Sequence, residues 1–183
     1  MQDDRDLLWT EKEKREILRT RVFTVTERKS VSPEGLEGTY IVNDAPDWVI
    51  VIAVDGDNFL MVKQWRHGEK ALSIEFPGGI VDPGEDPAVA AGRELLEETG
   101  AVAKEMIKLG KMNPNPALFS NHVHVFLAKG LSFSGRQDLD KDEYLKYLSL
   151  PQKDVIKNMG GPDYPHALMA GALALFLAKR DEM

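Results

Sequence analysis

A mixed α/β fold, with closely spaced strands forming a sheet that helices cover, is what this sequence of 183 residues predicts. β-rich runs separated by short turn signals outnumber the helical stretches. One helix carries clear punctuation at both ends, and a long apolar run near the C-terminus supplies a closing helix.

The elements follow in order. Thr10 and Glu13 have capping-box spacing, which predicts a short helix beginning there. Arg21 to Arg28 alternates like a half-buried strand and Thr39 to Val42 reads as another, with Ser32-Pro33-Glu34-Gly35 as the turn between them. Trp48–Val54 and Phe59–Trp65 are β-rich runs joined by Asp55-Gly56-Asp57-Asn58, a hairpin signal. Ala71–Phe76 is a further strand, ending at Pro77-Gly78-Gly79. The turn Asp82-Pro83-Gly84 leads to a helix that Asp86 caps, Pro87 opens and Gly100 closes. His122–Ala128 and Tyr144–Leu150 read as strands, and Tyr164–Lys179 as the closing helix.

Composition narrows the function classes. Hydrophobic residues make up 43% and charged residues 29%, ordinary values for a globular chain. A net charge of −7 argues against nucleic acid or an anionic membrane as partner. With no cysteine, thiolate metal sites and thiol catalysis are excluded. The N-terminal MQDDRDLLW lacks a signal-peptide core, and the longest apolar run, Ala167–Ala178, is too short to span a bilayer. A cytoplasmic location is the expectation.

On a helical wheel for Asp86–Thr99, Ala88, Val89, Ala91, Gly92, Leu95 and Leu96 define the sheet-packing arc. Glu94, Glu97 and Glu98 fall opposite, with Arg93 beside Glu97. Like charges at i, i+4 cost roughly 0.2–0.5 kcal/mol, and carboxylates in the last turn oppose the helix dipole. A solvated acidic helix end would tolerate those terms. A divalent cation between Glu94 and Glu98 would reverse them, and oxygen ligands select Mg²⁺ with Mn²⁺ as substitute.

The cluster is embedded in a longer pattern: Gly79, five residues, Glu85, seven residues, then Arg93-Glu94-Leu95-Leu96-Glu97-Glu98-Thr99-Gly100-Ala101. This resembles the complete Nudix signature, with Ala101 smaller than the usual aliphatic. The resemblance implies an α/β/α sandwich with a mixed β-sheet, the Nudix domain occupying 46–183 behind a β-rich N-terminal arm, 1–45. It implies a metal set of Glu94, Glu97, Glu98 and the Gly78 carbonyl, with Glu97 as ligand or proton acceptor. Glu85 and Arg93 then support the site, Arg93 by holding Glu97.

The flanks are similar to the nucleoside diphosphate sugar branch of that family, which includes ADP-ribose pyrophosphatases. Gln64-Trp65-Arg66 followed by Glu75-Phe76-Pro77-Gly78-Gly79, the proline Pro116, and Glu143 in a late acidic loop carry this similarity. The implied reaction is Mg²⁺-dependent hydrolysis of a nucleotide sugar to a nucleoside monophosphate and a sugar phosphate. Glu143 is the implied general base, among Asp138, Asp140 and Asp142. The implied assembly is a homodimer whose arms help build the substrate pocket. The Asn113–Asn121 loop departs from the usual ADP-ribose enzyme sequence, so the base and sugar stay open.

Arg66 suits bidentate contact with the diphosphate, with a surface salt bridge as the alternative, and Glu75 suits orienting Arg66, binding a metal through water, or a structural ion pair. Trp9, Phe23, Trp48 and Trp65 are candidates to stack on a nucleobase, although aromatics at strand spacing commonly fill cores. His122 and His124 lack a third ligand and read as structural. Three rivals stand beside the main reading. These are hydrolysis of nucleoside triphosphates or dinucleoside polyphosphates, a non-catalytic nucleotide sensor, and a structural acidic domain.

Overall fold

The computed structural model describes residues 4–133, 137–139 and 144–180, and they divide into two compact units. One unit comprises 1–46 and 113–122, the other 47–112 and 123–183.

The first unit is an antiparallel sheet of β1 (Thr10–Arg19), β2 (Thr24–Val31) and β3 (Glu37–Asp44), in that order, after a single turn of 3-10 helix, Arg5–Leu7. The helix expected from Thr10 and Glu13 is therefore a strand. The charges of β1 find cross-strand partners on β2: Glu13 meets Lys29 at 2.8 Å, Arg15 meets Glu27 at 3.0 Å, and Glu11 meets Arg28 at 3.3 Å. Such pairs stabilise a ladder that a local capping signal cannot register. The strand expected at Arg21 begins instead at Thr24, because Thr20 turns the chain, its Oγ accepting from the Val22 and Phe23 N–H groups. In the same unit, the 113–122 segment docks on β3: the Asn43 N–H donates to Leu118 at 2.7 Å and the Ser120 N–H donates to Asn43 at 3.1 Å.

The second unit is built on β4 (Trp48–Asp55), β5 (Asn58–Arg66), β6 (Ala71–Glu75), β7 (Ala101–Met112), β8 (Val123–Phe133) and β9 (Leu145–Pro151). The order is β6-β5-β4-β8-β7, with β9 also on β5; β4 and β8 run parallel and the other pairs antiparallel. The sheet is thus mixed. α1 (Pro87–Thr99) covers one face, while α2 (Gln152–Asn158) and α3 (Ala167–Lys179) cover the other. Strand β4 explains the layering: Val49, Val51 and Ala53 pack toward α1, whereas Ile50 and Ile52 pack toward α3. A strand apolar on both faces belongs at the centre of such a sandwich.

β7 and α2 were not anticipated from the sequence. In β7, AVAKEMIKLGKM mixes charges with apolar residues and includes a bulge between Lys108 and Gly110, so alternation fails. The closing helix starts at Ala167 rather than Tyr164, with the His166 Nδ1 accepting the Leu168 N–H at 3.3 Å as its cap.

The sheet forks at β5. Next to the hairpin turn, Ala53–Asp55 pair with Asn58–Leu60, but from Val62 onward β5 pairs with β6 on the side β4 has left. The chain emerging from β6 returns along the vacated edge of β4: the Val51 N–H donates to Pro77 at 2.8 Å, the Val49 N–H to Gly79 at 2.9 Å, and the Val81 N–H to Asp47 at 2.9 Å. A glycine loop therefore fills the fork as if it were a strand.

Candidate active site

The loop fits against β4 because Gly78 has no side chain. Its φ is +154° and a Cβ there would stand 2.1 Å from the Val49 carbonyl oxygen. Gly79 serves the opposite side, where a Cβ would stand 2.6 Å from the carboxylate of Glu94. Two adjacent glycines thus let one strand edge and one carboxylate approach the same backbone.

α1 supplies the acids. Asp86 caps it by accepting the Ala88 N–H at 2.8 Å, Pro87 opens it, and Gly100 ends it at φ +71°, its N–H donating to Leu96 at 2.8 Å. The last carbonyls are also met from downstream: the Asp138 N–H donates to Glu97 at 3.0 Å, and the Gln137 side chain donates to the Glu98 carbonyl.

The packing arc expected from the wheel is met in part: Ala91 and Leu95 are buried, Val89 and Leu96 are not. Buried positions are Ala90, Ala91, Glu94, Leu95, Glu98 and Thr99, while Val89 is 62% exposed and Leu96 37%. Glu94 and Glu98, at 8% and 3%, lie on the inward side. At about 100° per residue Glu98 falls beside Ala91 and Glu94 beside Ala90, so both stand at the edge of the buried arc, and the bare backbone of the glycine loop covers that edge. Glu98 Oε2 accepts the Gly78 N–H at 2.8 Å.

Arg93 ties the loop to the helix. Its guanidinium donates to both oxygens of Glu85 at 3.1 and 3.0 Å, to the Ile80 carbonyl at 3.0 Å, to Glu94 at 2.8 Å and to Glu97 at 3.0 Å. The bonds from Glu85 first, then those from the other acids, raise the Arg93 pKa further, and Arg93 in turn holds the Glu85 carboxyl below its ordinary value. Glu85 also accepts the Asp82 N–H at 3.1 Å, which closes the turn ahead of the helix.

A second pair stands opposite. Arg66 donates from Nε and an Nη to the two oxygens of Glu75, at 2.7 and 2.5 Å. Glu75 is fully buried. Burial alone would raise its pKa, but the hydrogen bonds and charge of Arg66 outweigh that and hold it lowered.

Between these groups lies a cleft of about 520 Å³, walled by Trp48, Gln64, Arg66, the Gly78–Ile80 backbone, Asp82 and Arg93, with Glu94, Glu97 and Glu98 on its helical side. The structure brings together Trp48, Arg66, Gly78, Arg93, Glu94, Glu97 and Glu98 from the sequence candidates. Glu75 sits behind Arg66 rather than on the wall. Pro116 is exposed in the 113–122 segment of the other unit. Glu143, Asp140 and Asp142 lie outside the described residues. Gln64, Ile80 and Asp82 were not singled out as site residues; Gln64 shares the face of Arg66 by strand alternation, a usable signal, whereas Ile80 and Asp82 reach the cleft through the loop's path alone. His124 is a structural histidine, its Nε2 lying 2.8 Å from Asp47.

The donor set suits a hard cation. Glu94 and Glu98 are carboxylates already withdrawn from bulk water on one side of an open cleft. Among the described residues no three acidic or histidine side chains converge into a finished cage. Mg²⁺ accepts such an incomplete set, because it retains several waters and takes oxygen from a substrate phosphate.

Known proteins resemble this chain in sequence and fold. ADP-ribose pyrophosphatase of Bacillus subtilis is 35% identical over 127 residues, covering 68% of this chain and 69% of its own. ADP compounds hydrolase NudE of Escherichia coli is 27% identical over 164 residues, covering 87% and 86%. A crystal structure of an ADP compounds hydrolase superposes with a TM-score of 0.83 at 25% identity, over 95% of both chains. Residues 45–166 match the model of the NUDIX domain, which contains the whole glycine loop and α1. The family model matched over residues 45–166, the sequence identity to a relative and a fold shared over 95% of the chain lead to one assignment: the chain belongs to the NUDIX domain family.

Proposed function

We propose that the protein hydrolyses the diphosphate bond of a nucleoside diphosphate sugar, releasing a nucleoside monophosphate and a sugar phosphate. The observation that carries this reading is the burial of Glu94 and Glu98 against a glycine loop, across an open cleft from Arg66. The name of the B. subtilis relative, ADP-ribose pyrophosphatase, supports the substrate class.

Glu94, Glu97, Glu98 and the Gly78 carbonyl would hold Mg²⁺, which when bound supplies charge neutralisation for the diphosphate and lowers the pKa of water. Arg66, already oriented by Glu75, presents its remaining N–H groups to the phosphate oxygens without first losing side-chain freedom. Arg93 keeps the carboxylates in register while it neutralises part of their mutual repulsion. Trp48 borders the substrate. Glu143 is the proposed base that takes the proton from the attacking water, with Asp138 as the described alternative on the same acidic stretch. Exchange of the 1–45 arms in a cytoplasmic homodimer belongs to the same reading, and light scattering at micromolar concentration tests it.

The deciding experiment incubates the protein with Mg²⁺ and a panel of nucleotide sugars, nucleoside triphosphates and dinucleoside polyphosphates, then identifies the products. Nucleoside monophosphate plus sugar phosphate is expected. Release of pyrophosphate from triphosphates alone would replace this reading with its nearest rival.

A further inference from the structure

The glycine loop is held on one side by Glu98 and Arg93 of α1 and along its edge by the N–H groups of β4. Its entry is held from the opposite layer of the sandwich, by a sulfur atom. Met169, in the first turn of α3, accepts the Phe76 N–H through Sδ at 3.3 Å. Both residues are buried, at 4% and 1% exposure, and both belong to the apolar cluster on the α3 face.

Phe76 joins two parts of the site. Glu75, just before it, orients Arg66, and Gly78, two residues later, donates to Glu98. Pro77 has no N–H, so Phe76 is the last residue ahead of Gly78 whose backbone can donate a bond. β6 lies at the end of the sheet order, and its outer edge is met by the approach to α3. The Ile74 N–H donates to the Asp163 carbonyl at 2.8 Å and the Phe76 N–H donates to Met169. Asp163 and Met169 thus take alternate N–H groups of an edge strand, as a further strand would.

The choice of sulfur has a physical reason. The carbonyls within α3 are committed to their own helix, so the acceptor must come from a side chain. That side chain sits in the cluster that also holds Phe59, Phe76 and Phe176. An amide or carboxylate there would bury polar atoms without partners. A thioether packs as an apolar group and still accepts one weak hydrogen bond.

We infer that Met169 is a positioning residue for the active site: through the Phe76 N–H it fixes the backbone between Glu75 and Gly78, and with it the spacing between Arg66 and the carboxylates of α1. The inference rests on the hydrolytic reading and adds a support from the layer that does not line the cleft.

Met169→Leu and Met169→Gln separate placement from packing. Leucine fills nearly the same volume without an acceptor, so Tm is expected to stay within a few degrees of wild type. Glutamine keeps an acceptor at similar reach but buries an amide N–H₂ in an apolar cluster, so Tm is expected to fall further. Mg²⁺ affinity by calorimetry, amide exchange at Phe76 by NMR and turnover of a nucleotide sugar are then read on the folded proteins. In Met169→Leu, Mg²⁺ affinity and kcat are each expected to fall about tenfold, the low end of the scale for losing a group that orients a ligand. Exchange at Phe76 is expected to quicken, while KM changes little. Met169→Gln is expected to recover most of these losses despite its lower Tm. A packing role cannot produce that crossed order, in which the more stable variant is the less active. Wild-type Mg²⁺ affinity and kcat in Met169→Leu overturn the inference, and so do losses that follow Tm in both variants. A wild type that hydrolyses no nucleotide sugar, while Met169→Leu still loses Mg²⁺ affinity and Phe76 protection, supports the positioning role and sinks the hydrolytic reading.

Discussion

Gly79→Ala separates the cost of folding from the cost of function at this site. The added Cβ would stand 2.6 Å from the Cδ and both oxygens of Glu94, about 0.8 Å inside ordinary contact at 3.4 Å. Gly79 needs no positive φ, so the strain is steric, and the atom it meets is the tip of a flexible side chain. Glu94 can retreat at the low end of the overpacking range, about 1 kcal/mol, which lowers Tm by roughly 2–4 °C in a chain of this size. The same retreat moves a proposed ligand by most of an ångström, a displacement that costs on the order of a hundredfold in rate. Gly78→Ala is the contrasting case. Its Cβ would stand 2.1 Å from the Val49 carbonyl oxygen at a φ of +154°, and a paired backbone cannot give way. Strain and overpacking together cost about 3–5 kcal/mol there, or a Tm lower by roughly 6–20 °C. Differential scanning calorimetry and Mg²⁺-dependent turnover read the two effects separately. In a Glu94→Ala background the Gly79→Ala penalty on Tm should shrink, since the three nearest atoms, all in the Glu94 carboxylate, are gone. Wild-type turnover in Gly79→Ala, or a Tm loss as large as that of Gly78→Ala, would refute the reasoning.

The remaining predictions test the other supports. Glu98→Gln keeps an acceptor for the Gly78 N–H but removes the charge, so Tm without Mg²⁺ should hold within a few degrees while turnover falls about a hundredfold or more. Arg93→Met leaves Glu85 and Glu94 without their shared counter-charge; allowing for the partial exposure of Arg93, the cost is about 2–4 kcal/mol, and millimolar Mg²⁺ should restore part of the lost Tm. Arg66→Lys breaks the bidentate bond to Glu75 and should raise KM for the substrate more than it lowers Tm. Burial raises the pKa of Asp44, but Ser120, Lys14, Thr26 and Arg28 outweigh it and bring the value from 3.8 down to about 2. The unfolded chain therefore takes up this proton first. The stabilisation is complete above pH 3.8 and is lost as pH falls through 2, and melting at pH 3 against pH 7 should show Asp44→Asn insensitive to that loss.

The hairpin, the central strands and the punctuated helix were legible because each rests on local chemistry. Asp55-Gly56-Asp57-Asn58 does turn β4 into β5, with Gly56 at φ +58°, and Asp86, Pro87 and Gly100 do bound α1. β1 was misread because its stabilisation comes from partners on β2, which no window around Thr10 contains. β7 was missed because its bulge breaks the alternation that marks a strand. At the site, the residue types were readable and the path of the loop was not: nothing local to Ile80 or Asp82 says that β5 and β4 part and that the chain returns between them.

The partial failure of the helical wheel is the most instructive of these. Amphipathic reasoning assigns carboxylates to water and aliphatic side chains to the core, although Glu98 shares a helix edge with Ala91 and Glu94 with Ala90. The chain buries both acids, and it does so where two glycines allow bare backbone to cover them, with one N–H donated to Glu98 and an arginine shared among Glu85, Glu94 and Glu97. A sequence selected for stability alone has no cause to bury two like charges four residues apart at the negative end of a helix dipole. Local rules are broken together, at a single place, and the breach faces an open cleft. That coincidence is what a functional site predicts and a solvated acidic helix does not.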